Sequence, residues 1–185
     1  MERWEIELNC SFQADQWLVM IDNLRKSNRA AAFRETPLKI FTRWYMTPAK
    51  IHSFYPNVSP NCFRGCQEVG NYFHIFWDCK LLQPIWLAVV ERLEITLKKK
   101  IPLTPYICLL FATVPDVPSP CNRMIHSLIS AVQWMIACNW KSQNLPWPQV
   151  ISRMESIKLS ERIHHTLYDS MHIFSNKWLY WPTPP

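Results

Sequence analysis

Residues 61–79 read NCFRGCQEVGNYFHIFWDC and bring together three cysteines and one histidine. Three, seven and four residues separate its ligand-type side chains, which are Cys62, Cys66, His74 and Cys79. Zinc takes four nitrogen or sulfur ligands in a tetrahedron, and three thiolates with one imidazole form a closed, structural set. We therefore predict that these four residues bind zinc in a small knuckle. The alternative is that they are ordinary buried residues of the core, as unligated cysteines often are.

The two glycines of the chain favour the metal interpretation. Gly65 and Gly70 both lie between the first and third predicted ligands, in a sequence that otherwise has 15 prolines and no glycine. A tight ligand loop needs positive φ, which glycine adopts without steric cost. We expect both residues to allow the loop to close around the metal.

The sequence on both sides of the knuckle has the apolar spacing of helices, and no convincing alternation indicates a strand. We therefore predict an all-α protein, a helical domain with an embedded Cys-Cys-His-Cys zinc knuckle. Its predicted segments are an N-terminal helical segment with a basic stretch (1–57), the knuckle (58–80), a helix with a proline-rich connection (81–118) and a C-terminal helical segment (119–185).

Several residues mark where these helices begin or end. Ser11 is expected to cap a helix over 12–28, and Pro37 to begin a new helical piece within 29–46. Thr47-Pro48 and Ser119-Pro120 both have the pattern of a cap followed by proline at the first helical position. Lys98-Lys99-Lys100 is expected to close the helix after the knuckle, with a phosphate contact as the alternative.

The net charge of +6 is concentrated in residues 23–52. That segment contains seven basic residues and one acidic residue, Glu35, and the rest of the chain is balanced. A localised basic face attracts polyanions, although a solvated helical face can also carry Lys and Arg for solubility. The candidate nucleic-acid contacts are Arg25, Lys26, Arg29, Arg43, Lys50 and, inside the knuckle, Arg64.

Aromatic residues interleave with these basic residues. They are Trp44, Tyr45, Phe54 and Tyr55 upstream of the knuckle, and Phe63, Tyr72 and Phe73 inside it. Aromatic rings that stack on bases, together with phosphate contacts, hold single strands without sequence preference. The alternative is that the rings pack the knuckle onto the helices, which is the favoured interpretation for Phe76 and Trp77.

Composition limits the size of the core and the cellular compartment in which we expect the protein. At 185 residues and 49% hydrophobic content the chain can bury a core of one domain or two small lobes. Its start lacks a secretory pattern, and the stretches 101–114 and 128–138 are too short or interrupted for a membrane span. Four further cysteines are expected to be reduced core residues, which indicates an intracellular protein of the cytoplasm or nucleus: Cys10, Cys108, Cys121 and Cys138.

Several kinds of catalytic site are missing from the sequence. The aspartates are dispersed, so no carboxylate cluster for two divalent metals is evident. Two glycines cannot form a glycine-rich phosphate loop or a nucleophile elbow, and the His-x-Glu and Pro-Cys-x-x-Cys motifs of zinc deaminases are absent. We predict a protein that is not an enzyme and has no small-molecule substrate.

Four short motifs together resemble a known family. They are TRWYMTP (42–48), CFRGC (62–66), HIFWDC (74–79) and QPIW (83–86). With the spacing of the ligands, they are similar to the carboxyl-terminal cysteine-rich region of the replicase polyprotein of LINE-type, non-LTR retrotransposons. Trp4, residues 12–17 and the tryptophan-rich end extend the likeness over nearly the whole chain.

The resemblance implies a function. In that family an endonuclease and a reverse transcriptase precede this region, which is implicated in RNA binding during target-primed reverse transcription. This chain contains neither enzyme, so the likeness implies a detached or transposon-derived, non-catalytic module that binds RNA or single-stranded nucleic acid. A reverse transcriptase-type protein is a second expected partner. The alternative is a structural or protein-docking domain that does not itself bind nucleic acid.

Overall fold

The computed structural model describes residues 1–181, and within them the chain forms α-helices and no strand. The helices are α1 (Glu2–Leu8), α2 (Ala14–Ser27), α3 (Glu35–Phe41), α4 (Pro48–Phe54), α5 (Gln83–Leu97), α6 (Pro105–Leu110), α7 (Ser119–Cys138), α8 (Trp147–Leu167) and α9 (Met171–Trp178). A 3₁₀ turn at Ala31–Phe33 and a π-helical turn at His74–Asp78 complete the regular structure. The predicted all-α class is therefore confirmed.

Helix α7 is the centre of the core. It contacts α2, α3, α5, α8 and α9, and 14 of its 20 residues are buried. Two polar side chains on α7 donate to the backbone of neighbouring helices: Ser127 Oγ donates to the carbonyl of Ser27 at 2.7 Å, and Gln133 Nε2 donates to that of Cys108 at 2.7 Å. Since buried polar groups are costly without partners, these bonds help to fix the position of α7 against α2 and α6.

Proline and cap signals were accurate at some helix starts and wrong at others. Helix α4 begins at Pro48, and Thr47 Oγ1 accepts a hydrogen bond from the Lys50 N–H, as predicted. Helix α7 begins at Ser119, but the capping position is Pro118. Helix α2 begins after Gln13 rather than Ser11, because Gln13 and Gln16 form a capping box there, in which Gln16 Oε1 accepts from the Gln13 N–H at 2.8 Å.

Pro37 does not separate two helical pieces. Helix α3 begins two residues earlier, at Glu35, and Pro37 lies in its first turn. Proline is tolerated there because an N–H in the first turn has no intrahelical partner to lose. The piece before α3 is only the 3₁₀ turn at Ala31–Phe33.

The short helix α1 packs the N-terminus onto the knuckle. Trp4 is 2% exposed, and its indole N–H donates to the carbonyl of Phe41 at 2.8 Å. Its ring meets the ring of Tyr72 edge-on, with centroids 5.6 Å apart. A large aromatic residue therefore connects the first helix to the metal-binding segment.

Buried residues from all four predicted segments belong to one core cluster. The predicted C-terminal segment contains α7, α8 and α9, and a turn in which Asp169 has a φ of 48° separates α8 from α9. The predicted C-terminal segment extends to residue 185, and residues 182–185 lie outside the described part. Each helix of residues 1–181 is too short or too polar to cross a membrane.

Candidate metal centre

The four predicted ligands meet at one buried point. The ligand atoms of Cys62, Cys66, His74 and Cys79 all lie within 4.8 Å of one another. The Sγ atoms of Cys66 and Cys79 are 3.8 Å apart, and Cys66 Sγ is 3.2 Å from His74 Nε2. A tetrahedron with zinc–sulfur bonds of about 2.3 Å has sulfur–sulfur edges of roughly 3.8 Å. These residues are positioned to hold a metal ion, as the spacing predicted.

A tight hairpin supplies the first two ligands. The N–H of Cys62 donates to the carbonyl of Glu68 at 2.8 Å, and that of Gly70 donates to Pro60 at 2.9 Å. The chain turns at Gly65, at the tip of the hairpin between Cys62 and Glu68. The Gly65 N–H donates to the carbonyl of Cys62 at 3.0 Å, and the φ of Gly65 is +81°. The prediction of positive φ at Gly65 is confirmed.

Gly70 is glycine for a different reason. Its φ is not positive, so that prediction was wrong. A Cβ added there would lie 2.7 Å from Pro48 Cγ and 3.1 Å from the Cα of Cys62. The carbonyl of Gly70 also accepts a hydrogen bond from the Ala49 N–H at 3.2 Å. Gly70 therefore lets the hairpin lie directly against the start of α4.

The π-helical turn supplies the other two ligands. The N–H of Cys79 donates to the carbonyl of His74 at 3.0 Å. This turn brings the Cys79 thiol back beside the imidazole of His74. The His74 N–H is in turn held by Asn71 Oδ1 at 2.7 Å. Ile75 and Phe76, which lie between the two ligands, are fully buried in the core. Packing of these two side chains therefore anchors the turn that carries the ligands.

The ligands of the metal-free cluster differ in how their surroundings shift their pKa values. Burial raises the pKa of Cys62 to about 11, and the neighbouring thiols add to the shift. Burial also raises the pKa of Cys66, but hydrogen bonds from the Glu68 N–H and from the Cys62 and Cys79 thiols outweigh it and lower that pKa below its usual value. Burial lowers the pKa of His74, which favours the neutral imidazole that binds metals.

Arg64 is not a surface contact, and this corrects the sequence prediction. Its side chain is 1% exposed, and Nη1 donates to the carbonyl of Ile75 at 3.0 Å. Burial is the main cause of the lowered pKa of His74, and the positive charge of Arg64 acts in the same direction. Arg64 Nε and Nη2 have no hydrogen-bond partner among the described residues. A phosphate cannot reach this guanidinium, which belongs to the interior of the knuckle.

Arg43 is partly buried and held in place by its neighbours, which also revises its predicted role. Nη1 and Nη2 donate to the two carboxylate oxygens of Glu7 at 2.8 and 2.6 Å. The guanidinium lies 4.7 Å from the Trp4 ring centroid and 4.6 Å from that of Tyr72. Since both terminal nitrogens are engaged, Arg43 joins α1 to the knuckle and is not free to bind a phosphate.

A surface groove lies beside the knuckle and contains two of the predicted contacts. Its volume is about 270 Å³. Its lining residues, which we call the knuckle groove, are Arg3, Glu7, Arg43, Thr47, Ala49, Lys50, Ser53, Asn71 and Tyr72. Lys50 lies here as predicted, and Arg3 was missed because helix α1 gave no clear signal in the sequence.

The other predicted contacts lie elsewhere. Lys26 and Arg29 line a second cavity, which shares no residue with the knuckle groove. Arg25 is exposed and lines neither cavity. The second cavity also contains Arg123 and Lys177, which sequence reasoning missed because they are about 100 and 150 residues away. The basic segment is therefore divided between two parts of the surface.

The aromatic residues also separate into two groups. Tyr72 is 3% exposed and stacks at a tilt on Phe76, so packing is its role. Trp44, Phe54 and Tyr55 are 69%, 62% and 65% exposed. Large exposed rings next to a basic groove are available to stack on bases.

No model of a known protein family matches this chain. The likeness to the LINE-type region therefore remains a prediction from the motifs quoted above. Support for a function comes from the geometry of the metal centre and of the knuckle groove.

Proposed function

We propose that this chain is a zinc-stabilised, non-catalytic module that binds RNA or single-stranded nucleic acid. In this proposal zinc fixes the knuckle, and the knuckle groove holds the phosphate backbone. The module works inside the cell, in the cytoplasm or the nucleus, where thiolate ligands stay reduced. The function is the one that the resemblance to the LINE-type region implies.

Zinc is the metal that the donor set favours. Three thiolates and one imidazole, all buried and all from the protein, leave no coordination position for substrate or water. Three thiolates around a divalent ion carry a net charge of −1. The buried guanidinium of Arg64 beside His74 offsets that charge, and a buried charge needs such compensation.

The observation that carries the proposal is that the metal centre and the groove share a wall. Asn71 and Tyr72 line the knuckle groove, and Asn71 also holds the backbone of the ligand His74. On the opposite wall, α4 carries Lys50 and is bonded to the hairpin through Ala49 and Gly70. Metal binding therefore sets the shape of the groove and the position of its lysine.

Charge and exposed rings in this area suit a single strand. Arg3 and Lys50 offer cationic groups in the groove, and neither forms an ion pair within residues 1–181. Phe54 and Tyr55 follow Lys50 at the end of α4 and are exposed. Phosphate contacts beside unstacked aromatic rings are the arrangement by which proteins hold single strands.

One observation favours the alternative, a protein-docking domain. Large apolar side chains on several helices are more than half exposed: Leu18, Leu87, Ile95, Ile163 and Leu167. Exposed apolar surface of this kind occurs at protein interfaces. Under this alternative a reverse transcriptase-type protein covers the surface, and nucleic acid does not bind.

Fluorescence anisotropy with a labelled single-stranded RNA, measured over a series of salt concentrations, tests the proposal. The logarithm of the affinity should fall linearly with the logarithm of the salt concentration, with a slope of about −0.7 for each phosphate contact. Arg3→Gln and Lys50→Gln should each weaken binding and make the slope shallower by about 0.7. Elemental analysis of the purified protein should find one zinc per chain.

Lys100→Gln is the matched control, because Lys100 is exposed after the end of α5 and outside the groove. It removes the same charge and should leave the slope unchanged. Absence of binding at low salt, or equal losses for Lys50→Gln and Lys100→Gln, would refute the groove as the binding site. Salt-insensitive association with a protein partner, without RNA binding, would support docking.

A further inference from the structure

The second cavity brings together basic residues from distant parts of the chain. It has a volume of about 80 Å³. Its walls are Lys26, Arg29, Arg123, Glu161, His165, Ile173 and Lys177. Four of these side chains are cationic and one is a carboxylate, so the walls carry an excess of positive charge.

The single carboxylate is already neutralised inside the protein. Glu161 is 2% exposed; its Oε1 accepts from Lys177 Nζ at 2.7 Å, and its Oε2 accepts from the Trp178 indole N–H at 2.9 Å. Lys177 Nζ also donates to the carbonyl of Ser27 at 2.8 Å. Glu161 therefore holds the buried lysine in place and pairs with neither arginine of the cavity.

The arginines have donors to spare. Neither Arg29 nor Arg123 forms an ion pair within the described residues. Arg123 Nε is buried and has no hydrogen-bond partner there. Lys26 pairs with Asp22, but both side chains are more than half exposed, so the pair is weak and easily exchanged. A buried, unpaired guanidinium N–H is costly, and it is satisfied when an anion occupies the cavity.

The titration of two cavity residues reflects this excess of positive charge. Burial lowers the pKa of Lys177 to about 8, and the charges of Arg123 and Arg29 act in the same direction against the opposing effect of Glu161. Burial also lowers the pKa of His165, helped by Arg29 and Lys177. Lys177 therefore experiences the charges of both arginines, and His165 experiences that of Arg29.

We propose that this cavity is a binding site for a phosphate group. A cavity of about 80 Å³ is much larger than the 10–15 Å³ that one water needs, and it suits a small tetrahedral oxyanion. Guanidinium groups bind phosphate with two parallel hydrogen bonds, and Arg29 and Arg123 both have free donors. Lys177 adds a buried positive charge that Glu161 holds in position.

The phosphate can come from free inorganic phosphate or from a nucleic acid, and only the second source rests on the proposed function. The cavity and the knuckle groove have no residue in common. A nucleic-acid strand that engaged both would contact the protein at two sites. Binding of the free anion is independent of whether the groove binds RNA.

Isothermal titration calorimetry of the whole chain with inorganic phosphate, at constant ionic strength adjusted with chloride, tests the site. One phosphate should bind per chain, and Arg29→Gln and Arg123→Gln should each weaken binding roughly tenfold, the loss expected for a charge-assisted hydrogen bond. Arg25→Gln removes the same charge from an exposed position outside the cavity and should leave the affinity unchanged. Arg29 is itself exposed, so Arg29→Gln should fold normally even if Arg123→Gln does not.

Absence of phosphate binding, or equal weakening by all three substitutions, would overturn the proposal. A second titration compares a short oligonucleotide with and without a 5′-phosphate. If the phosphorylated oligonucleotide binds more tightly and Arg29→Gln abolishes that difference, the ligand is a terminal phosphate. If Arg29→Gln weakens the binding of both forms equally, the ligand is a backbone phosphate. If inorganic phosphate binds and neither oligonucleotide does, the cavity is a site for a free anion. That result supports the phosphate site and refutes the proposed nucleic-acid-binding function.

Discussion

Arg43 Nη1 and Nη2 donate to the two carboxylate oxygens of Glu7 at 2.8 and 2.6 Å, and this pair connects the first helix to the metal-binding segment. The guanidinium also lies over the rings of Trp4 and Tyr72. Tyr72 belongs to the same segment as the ligand His74. The N-terminal helix and the knuckle are thus held together by one arginine, 36 residues from its partner.

Arg43→Lys should destabilise the protein without changing its charge. Lysine cannot form the two parallel bonds to Glu7 or place a planar guanidinium over the rings of Trp4 and Tyr72, so we expect a loss of about 1–2 kcal/mol in the free energy of unfolding. Because the charge is kept and the pair does not contact phosphate, the salt slope of RNA binding should stay the same. Urea unfolding and the anisotropy series measure the two effects. A shallower slope with unchanged stability would show that Arg43 contacts phosphate.

Gly70→Ala should disturb the knuckle more than replacement of Gly65 by a residue that can adopt positive φ. The added methyl would lie 2.7 Å from Pro48 Cγ and 3.1 Å from the Cα of Cys62, so the proline ring or the hairpin must shift. Overpacking of this kind costs about 1–3 kcal/mol. We expect lower thermal stability and weaker zinc binding in a chelator competition.

Gly65→Asn is the comparison variant for this test. Asparagine adopts positive φ more readily than other residues with a side chain, and a Cβ at Gly65 meets only the flexible end of Gln143 at 3.3 Å. It should retain most of the zinc affinity. If Gly65→Asn is the more damaging change, close packing at Gly70 is not what shapes the hairpin.

Zinc affinity should rise with pH. Zinc binds the thiolate, and the pKa of Cys62 in the metal-free protein is about 11, so binding displaces a proton throughout the physiological range. Each displaced proton makes the affinity about tenfold higher per pH unit. His74 adds no proton of its own near pH 7, because burial lowers its pKa and keeps it neutral.

Competition with a chelator of known affinity, at several values from about pH 6.5 to 8, measures this dependence. The apparent affinity, corrected for the chelator, should increase at least tenfold over each pH unit. A pH-independent affinity would mean that the thiols are already ionised before the metal binds, contrary to the raised pKa of Cys62.

The sequence predicted the features that form between residues close together along the chain. It did not predict those that depend on residues far apart in the sequence. The four ligands were identified because they lie within 18 residues, and their spacing alone identifies the donor set. Gly65 was interpreted correctly for the same reason, since its turn is local. Gly70 was not, because its neighbour Pro48 lies 22 residues away.

The direction of individual side chains was the second feature that the sequence could not predict. Arg64 looked like an exposed cation between two ligands, but it is buried against the carbonyl of Ile75. The pattern could not reveal this, because a π-helical turn at His74–Asp78 has no recognisable periodicity. The buried pair of Lys177 and Glu161 likewise depends on how α8 and α9 pack, and no local signal indicates it.

Phe54→Ala and Tyr55→Ala should weaken binding of single-stranded RNA with little effect on folding. Both rings are more than 60% exposed, so their removal costs little packing energy. Loss of a ring that stacks on a base costs about 1–3 kcal/mol in binding. Tyr168→Ala, at another exposed aromatic residue of 71% exposure, is the matched control. Equal affinities for all three variants and the wild type would exclude stacking at the end of α4.

His126 should make the protein less stable in mild acid. The imidazole is 1% exposed, and burial lowers its pKa from the usual 6.5 to about 4. Below pH 6.5 the unfolded chain takes up a proton at this residue and the folded protein does not. Folding stability is therefore complete above pH 6.5 and falls as the pH drops towards 4, by up to about 3 kcal/mol.

His126→Gln isolates this effect from other titrating groups. Glutamine does not titrate, and its amide can donate to the carbonyl of Ala112, which lies 3.2 Å from Nε2 of His126. Urea unfolding at about pH 7 and pH 4.5 should show a larger loss of stability in the wild type than in this variant. The remaining loss, common to both proteins, reports the other titrating groups, including the thiols and His74 of the knuckle. If the two proteins lose the same stability over this range, the imidazole becomes protonated within the folded state.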